Sequence, residues 1–429
     1  METTLHKVKS KQTGKDERLK QLLRTLILFA IRIIGIPGAR VAAQQAQKPT
    51  PQAPRILLIR PDHLGDLVLT TPVLHALKSH LPNATITMMV GPWSSEVVAH
   101  HPAIDHLLFC PFPGFQRTPQ KPLAPYKVLF SVAQQLRRGH YDLAINLRSD
   151  FWWGAALLYL ARIPHRLGYA IAPGTPFLSL ALPFPSPELA TVSNLSLISA
   201  ALEIAGCPPL EEPYTAQRYP LAFTPTPADH DWVGSRLAQS GIAADAPVVV
   251  IHPGTGATVK LWRNKAWAAC TNALPELFTS PAPVRIILTG SQAERHMLEE
   301  IAQGMTSPPL LITDMTIGQM AAVLQRAKLV LGVDSGPLHL AVAQGTPTIH
   351  IFGPTDPRIF GPWGTPGRHE VIASTHRYQT CPSIPCGRLD FRPEEQAAHP
   401  CVRLVSVQQV LEAIKTLLNE EATSPSHSL

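Results

Sequence analysis

A chain of 429 residues that is 45 % apolar can bury one or more cores, and it is not disordered as a whole. With 16 % charged residues and 44 scattered prolines it is neither a coiled coil nor a long solvated helix; many short elements joined by stiff turns suit it better. The net charge of +7 belongs to residues 1–48, which hold ten Lys/Arg against three Asp/Glu, while the rest of the chain balances at 27 of each sign; a basic nucleic-acid cleft across the body is excluded.

Residues 1–48 form an N-terminal extension. Its first part is polar and basic, with Lys7, Lys9, Lys11, Lys15, Arg18 and Lys20. Leu19, Leu22, Leu23, Leu26, Ile27, Ala30, Ile33 and Ile34 then recur at helical spacing, with Arg24 and Arg32 toward the other side. The longest uncharged piece, Thr25–Ile31, is far shorter than the ~20 residues that span a bilayer. Three readings stand: an amphipathic helix packed on the body, a basic interfacial helix on an anionic membrane through residues 1–36, and a secretory signal whose apolar region Arg32 interrupts. The sequence reads as cytoplasmic, peripheral on the cytoplasmic face of the inner membrane if the second reading holds.

From Pro54 short apolar runs alternate with helical stretches. Arg55–Arg60, Ala84–Val90, Asp105–Cys110 and Tyr141–Leu147 read as strands of a first domain over residues 54–206, and Leu67–His80 as a helix. Residues 207–246, with Cys207-Pro-Pro-Leu210, Glu212-Pro213 and Thr224-Pro-Thr-Pro227, break the rhythm and read as the interdomain connection. Over 247–404 the alternation restarts, with strands at Pro247–Ile251, Val284–Thr289, Leu310–Thr313, Leu329–Val333 and Thr348–Phe352. Helices are expected at Asn264–Phe278, Gln292–Gln303, Ile317–Ala327 and Pro337–Gln344, followed by a C-terminal helix over 405–421 and a disordered tail over 422–429. Strand–helix alternation implies an α/β fold with two doubly wound, parallel-sheet, Rossmann-like domains facing a central cleft, ligands lying beyond the carboxyl ends of the strands.

Four strand ends carry chemistry. Arg60-Pro-Asp-His-Leu-Gly-Asp66 follows the first strand, and Asp66 suits either a helix N-cap or a catalytic carboxylate. His252-Pro-Gly254-Thr255-Gly256 leads to Lys260 and Trp262; small residues let backbone amides approach phosphate and the lysine adds charge, whereas Val259 replaces the third glycine of a dinucleotide loop. Gly290-Ser-Gln-Ala-Glu294 offers an acid for a ribose diol or for a helix first turn. Asp334-Ser335-Gly336-Pro337-Leu338-His339 opens a helix with its positive end at a strand terminus, a seat for diphosphate; His339 either contacts phosphate or packs in the core. Gly353-Pro-Thr-Asp-Pro357 lines the same pocket or forms a turn.

In this order the motifs resemble those of the ADP-heptose:lipopolysaccharide heptosyltransferases, glycosyltransferase family nine, across roughly residues 54–415. The resemblance implies the GT-B architecture and an inverting transfer of heptose from ADP-heptose to a lipopolysaccharide core sugar. It makes Asp66 the general base. Lys260, Thr255, Gly256, Glu294 and Asp334, with the turn Ser335, Gly336, Pro337, Leu338 and His339, become the donor site. Arg60, Asp62 and Arg148 fall on the acceptor side, where an anionic acceptor or a surface salt bridge would suit the arginines equally. No Asp-x-Asp stands at a strand end, so no metal or other cofactor is expected. The partners are a nucleotide-sugar and a lipopolysaccharide or other glycan, with no nucleic acid. Other nucleotide-sugars or acceptors, and a non-catalytic nucleotide-sugar-binding role, remain as alternatives. Cys381, Cys386 and Cys401, near His399, are spaced too loosely for an ordinary zinc site and fit packing, a disulfide or a weak metal site.

Overall fold

The apolar runs become strands whose alternate side chains serve opposite faces of a sheet. A computed structural model describes residues 2–116, 121, 123–185, 187–278, 282–374, 384–391, 395 and 399–423, with the backbone alone at 2–21 and 421–423. The first lobe runs α1 (Glu2–Gln45), β1 (Arg55–Arg60), α2 (Leu64–Val68), α3 (Thr71–His80), β2 (Thr85–Val90), β3 (His106–Phe109), α4 (Ala124–Arg137), β4 (Leu143–Asn146), α5 (Trp152–Leu160), β5 (His165–Tyr169), β6 (Leu180–Leu182) and α6 (Ala190–Ile204). After α7 (Pro227–Gln239) come β7 (Val248–His252), α8 (Asn264–Ala273), β8 (Arg285–Thr289), α9 (Arg295–Gln303), β9 (Leu310–Ile312), α10 (Ile317–Arg326), β10 (Leu329–Val333), α11 (Gly336–Ala343), β11 (Thr348–Phe352), α12 (Pro357–Phe360), β12 (His369–Ala373) and α13 (Val407–Thr423).

Each lobe has one six-stranded parallel sheet, ordered β3-β2-β1-β4-β5-β6 and β12-β11-β10-β7-β8-β9. Counted from its own first strand, each follows the same doubly wound order, which reverses between β1 and β4 and again between β7 and β10. Side-chain alternation divides the core. Ile56 and Leu58 of β1, with Val248 and Val250 of β7, join one apolar cluster running through both lobes along α3, α6, α7 and α10. Leu57 and Ile59 face α4 and α5, and Val249 and Ile251 face α8, α9 and α13.

Three local outcomes differ from the sequence reading. The helix expected over Leu67–His80 is two helices, because Pro72 has no N–H for the Val68 carbonyl; the Thr71 hydroxyl donates to it instead at 2.7 Å. The expected connection over 207–246 contains α7, opened by a reciprocal Thr226–Asp229 cap and packed on α10 of the second lobe. In the extension, Leu22–Gln45 of α1 is apolar and long enough to cross a membrane by length and composition, although Thr25–Ile31 alone is not. The C-terminal helix α13 lies on α8, β11 and β12 within its own lobe.

Candidate functional site

At the switch point of the first sheet, β1 ends in Arg60 and the chain turns into α2, whose first turn carries Asp66. His63, not Asp66, is the N-cap, and its side chain makes no cap bond. Asp66 instead accepts from Arg60 Nη2 at 3.1 Å through Oδ1. Arg60 is itself fixed from below: Nη1 donates to the Leu147 carbonyl at the end of β4 at 2.6 Å, and Nε pairs with Asp62 Oδ2 at 2.8 Å. Arg148 pairs with Asp62 Oδ1, donates from Nε to Asp150 Oδ1 at 2.7 Å, and lies over the Phe115 ring. The Arg60 and Asp62 side chains are 6 % and 2 % exposed, whereas Asp66 keeps 31 % and Arg148 35 %. Arg60 and Asp62 therefore form a buried mount, and Asp66 and Arg148 are its solvent-facing ends. Burial, then the Asp62 carboxylate, push Asp66 up to about 6; Arg60 and Arg148 pull it down, and Asp334 of the other lobe adds to the rise.

At the switch point of the second sheet, Lys260 and Asp334 come together from β7 and β10. Lys260 Nζ donates to Asp334 Oδ2 at 3.0 Å, the Thr355 hydroxyl donates to the same oxygen at 2.6 Å, and the Thr255 hydroxyl donates to the Asp334 carbonyl at 3.4 Å. Ser335 is the N-cap of α11, but its hydroxyl makes no cap bond and is buried without a partner. Pro337 occupies the first turn, where a missing N–H costs nothing. The cradle is thus a lysine, an unpartnered hydroxyl and a helix N-terminus on one loop pair.

Other expected donor residues take varied places. Glu294 closes a reciprocal cap with Ser291, its Oε2 accepting from that residue's N and Oγ at 2.7 Å each; Oε1 lies so close to Gly254 that a Cβ there would stand 2.1 Å away. Gly256 is exposed at the loop tip with open space around it. Leu338 is fully buried in the core. His339 is also buried, with Nε2 4.0 Å from Asp334 Oδ1, and burial lowers it to about 4, so it is a neutral ring at pH 7. Cys381 lies outside the described residues, Cys386 is half-buried, and Cys401 is buried with its sulfur against Gly353. Among the described residues no three His, Cys, Asp or Glu side chains gather as a metal site.

The sequence reading left Thr355 between pocket and turn; it is the second donor to Asp334. It missed Gly254 as the contact of Glu294, and it missed a buried line behind His339. There the His350 ring lies 5.9 Å from His339, and Thr348 Oγ1 bonds both His350 Nε2 at 2.8 Å and His369 Nδ1 at 2.9 Å. The two halves of the site also touch. α2 packs on α11, and a Cβ on Gly65 would stand 3.0 Å from His339 Cδ2 and 3.1 Å from Gly336 Cα.

Two doubly wound lobes in contact at their switch points form the GT-B architecture. The chain belongs to glycosyltransferase family 9 (heptosyltransferase), whose sequence profile matches residues 129–386, more than half of its length; it is a glycosyltransferase. Lipopolysaccharide heptosyltransferase 3 of Escherichia coli is 29 % identical over 309 residues, 70 % of this chain and 83 % of that protein. The protein of that name from Escherichia coli strain K12 is 26 % identical over 364 residues, 84 % and 97 % of the two chains. In structure the chain is similar to a glycosyl transferase family 9 protein from Veillonella parvula DSM 2008, with a TM-score of 0.68 at 21 % identity over 87 % of this chain and all of that one. It is likewise similar to Escherichia coli ADP-heptose lps heptosyltransferase II, with a TM-score of 0.64 at 19 % identity over 86 % and 100 %. These structural likenesses bear on the fold.

Proposed function

We propose that this glycosyltransferase moves a heptose from ADP-heptose to a lipopolysaccharide core sugar, with inversion at the anomeric carbon, on the cytoplasmic face of the inner membrane. The relatives' names supply the sugar and acceptor class, and the site supplies the chemistry. The lobe of residues 54–206 takes the acceptor, with Arg148 as the accessible cation for an anionic group. The lobe of residues 247–404 takes the nucleotide, with Glu294 toward the ribose and Lys260, Ser335 and the α11 N-terminus at the diphosphate.

In the reaction the acceptor hydroxyl passes its proton to Asp66 while its oxygen bonds the anomeric carbon. On the opposite face the bond to the diphosphate oxygen breaks, and ADP leaves with the electron pair. A lysine and helix-end amides balance the developing charge, so no divalent ion is required. The observation carrying this reading is the carboxylate held near pH 6 on the lobe surface that packs against α11. A donor screen with truncated lipopolysaccharide, read by mass spectrometry in EDTA, tests it. Heptosylated product from ADP-heptose, lost in Asp66→Ala with ADP binding retained, is the expected result. Transfer of another sugar, transfer restored only by magnesium, or ADP binding without any turnover would each overturn it.

A further inference from the structure

The longest helix of the molecule presents apolar side chains on two faces, and the structure covers one of them. Leu28, Ile31, Gly35, Gly38 and Ala42, at steps of three and four, are buried toward α5. The fit is close: a Cβ on Gly35 would stand 2.0 Å from a Tyr159 ring carbon, the Tyr159 hydroxyl donates to the Arg32 carbonyl at 2.8 Å, and the Arg24 guanidinium lies over Trp152 at 5.1 Å. Across the helix, Leu22, Leu23, Leu26, Phe29, Ile33, Ile34 and Val41 are 49–63 % exposed. A helix lying on a water-soluble body puts polar residues there. Within Leu22–Gln45 an 18-residue window has a mean hydropathy of 1.8, and 28 % of that window is buried.

We infer that α1 seats the first lobe on an anionic bilayer, lying in the plane of the interface with the Leu22–Val41 stripe among the acyl chains. The charge distribution selects this occupant: the whole excess of +7 sits in residues 1–48, six of its cations between Lys7 and Lys20, immediately before the stripe. A second copy on the same face would bring two such excesses together. The Gly35 seam and the Tyr159–Arg32 bond hold α1 along α5, so it lies on the membrane rather than crossing it. Because α5 begins four residues after Arg148, the seated helix fixes the height of the site above the lipid surface. This inference rests on the helix alone and stands apart from the proposed donor and acceptor.

Flotation of the full-length protein tests it, with vesicles of phosphatidylcholine alone and with 30 % phosphatidylglycerol. Binding to the anionic vesicles is expected, weakened by 0.5 M NaCl and stripped by alkaline carbonate. A quadruple variant, Leu26→Ser, Phe29→Ser, Ile33→Ser and Ile34→Ser, should lose at least tenfold of this binding with its circular dichroism unchanged, since these side chains support no core. A second variant, with Lys7, Lys9, Lys11, Lys15 and Lys20 changed to Gln, should lose the preference for phosphatidylglycerol. Equal binding by the quadruple variant, no preference for anionic lipid, resistance to carbonate, or a dimer that ignores vesicles would each overturn the inference.

Discussion

Asp66 is set between opposing influences. Partial burial and the neighbouring Asp62 raise it to about 6, and Arg60 at 3.1 Å limits the rise. As the proposed base Asp66 acts only when ionised, so kcat/KM should fall below a pH near 6, the acid limb being read from a pH–rate profile. Arg60→Met removes the restraining cation and should move that limb upward, whereas Arg60→Lys should bring it part of the way back; a merely structural Arg60 would change the rate without moving the limb. Stability runs the other way. A folded-state value above the ordinary 3.8 makes the ionised carboxylate a cost above pH 6 that disappears as the pH falls through 4. Asp66→Asn should therefore be more stable than the parent at pH 8 by about 1–2 kcal/mol after allowing for its solvent contact, with the difference in urea midpoint closing at pH 4. Asp66, Lys260 and Asp334 were legible because strand-end loops of a doubly wound sheet are where ligands bind. The Arg60–Asp62 mount was not, because which buried carboxylate an arginine reaches is a matter of distance in space.

Among elements, the strands easiest to read are those buried on both faces. Ile56–Ile59 of β1, Val248–Ile251 of β7 and Leu329–Val333 of β10 are apolar runs at the sheet centres, and β11 beside them reads as a strand despite His350. β6 and β12 sit at sheet edges, and β5 and β12 mix His, Arg or Glu among their apolar residues, so no run announced them. α5, Trp152–Leu160, lacks a polar face because the sheet covers one side and α1 another, so helical periodicity is absent where burial is greatest. The contact of α2 with α11 depends on two residues without side chains. Gly65→Ala places a methyl group 3.0 Å from His339 and 3.1 Å from the Gly336 backbone. The lobes must yield by a few tenths of an ångström, and kcat should fall about tenfold through misplacement of Asp66. Substrate-saturated kinetics beside a thermal melt checks this: a change in melting temperature with kcat intact would refute it.

For the whole molecule, buried imidazoles set the acid limit. His252 and His339 are held at about 4 and His350 well below 6.5, all chiefly by burial. Their folded-state values lie below the unfolded one, so the unfolded chain takes up protons first, and stability present above pH 6.5 is lost as the pH falls toward 4. The loss should be on the order of several kcal/mol in total, because each ring resists protonation in the folded chain that it accepts readily in the unfolded one. It should exceed the small opposite contribution of Asp66; urea midpoints measured from pH 8 to pH 4 should decline steadily, and a flat series would show the imidazoles to be open to water.

Read alone, the order of apolar runs and small-residue loops determined the α/β architecture, the parallel sheets, the basic extension and the strand ends where ligands belong, because strand period and loop chemistry are local properties. Only the tertiary structure decided that Asp66 hangs from a buried arginine, that His339 is a neutral core ring, that α7 belongs to the second lobe, and that α1 lies along α5 with an apolar face uncovered. Those outcomes depend on which segments, most of them remote in the chain, bury each group, and there desolvation and close packing choose among partners that local pattern leaves equal.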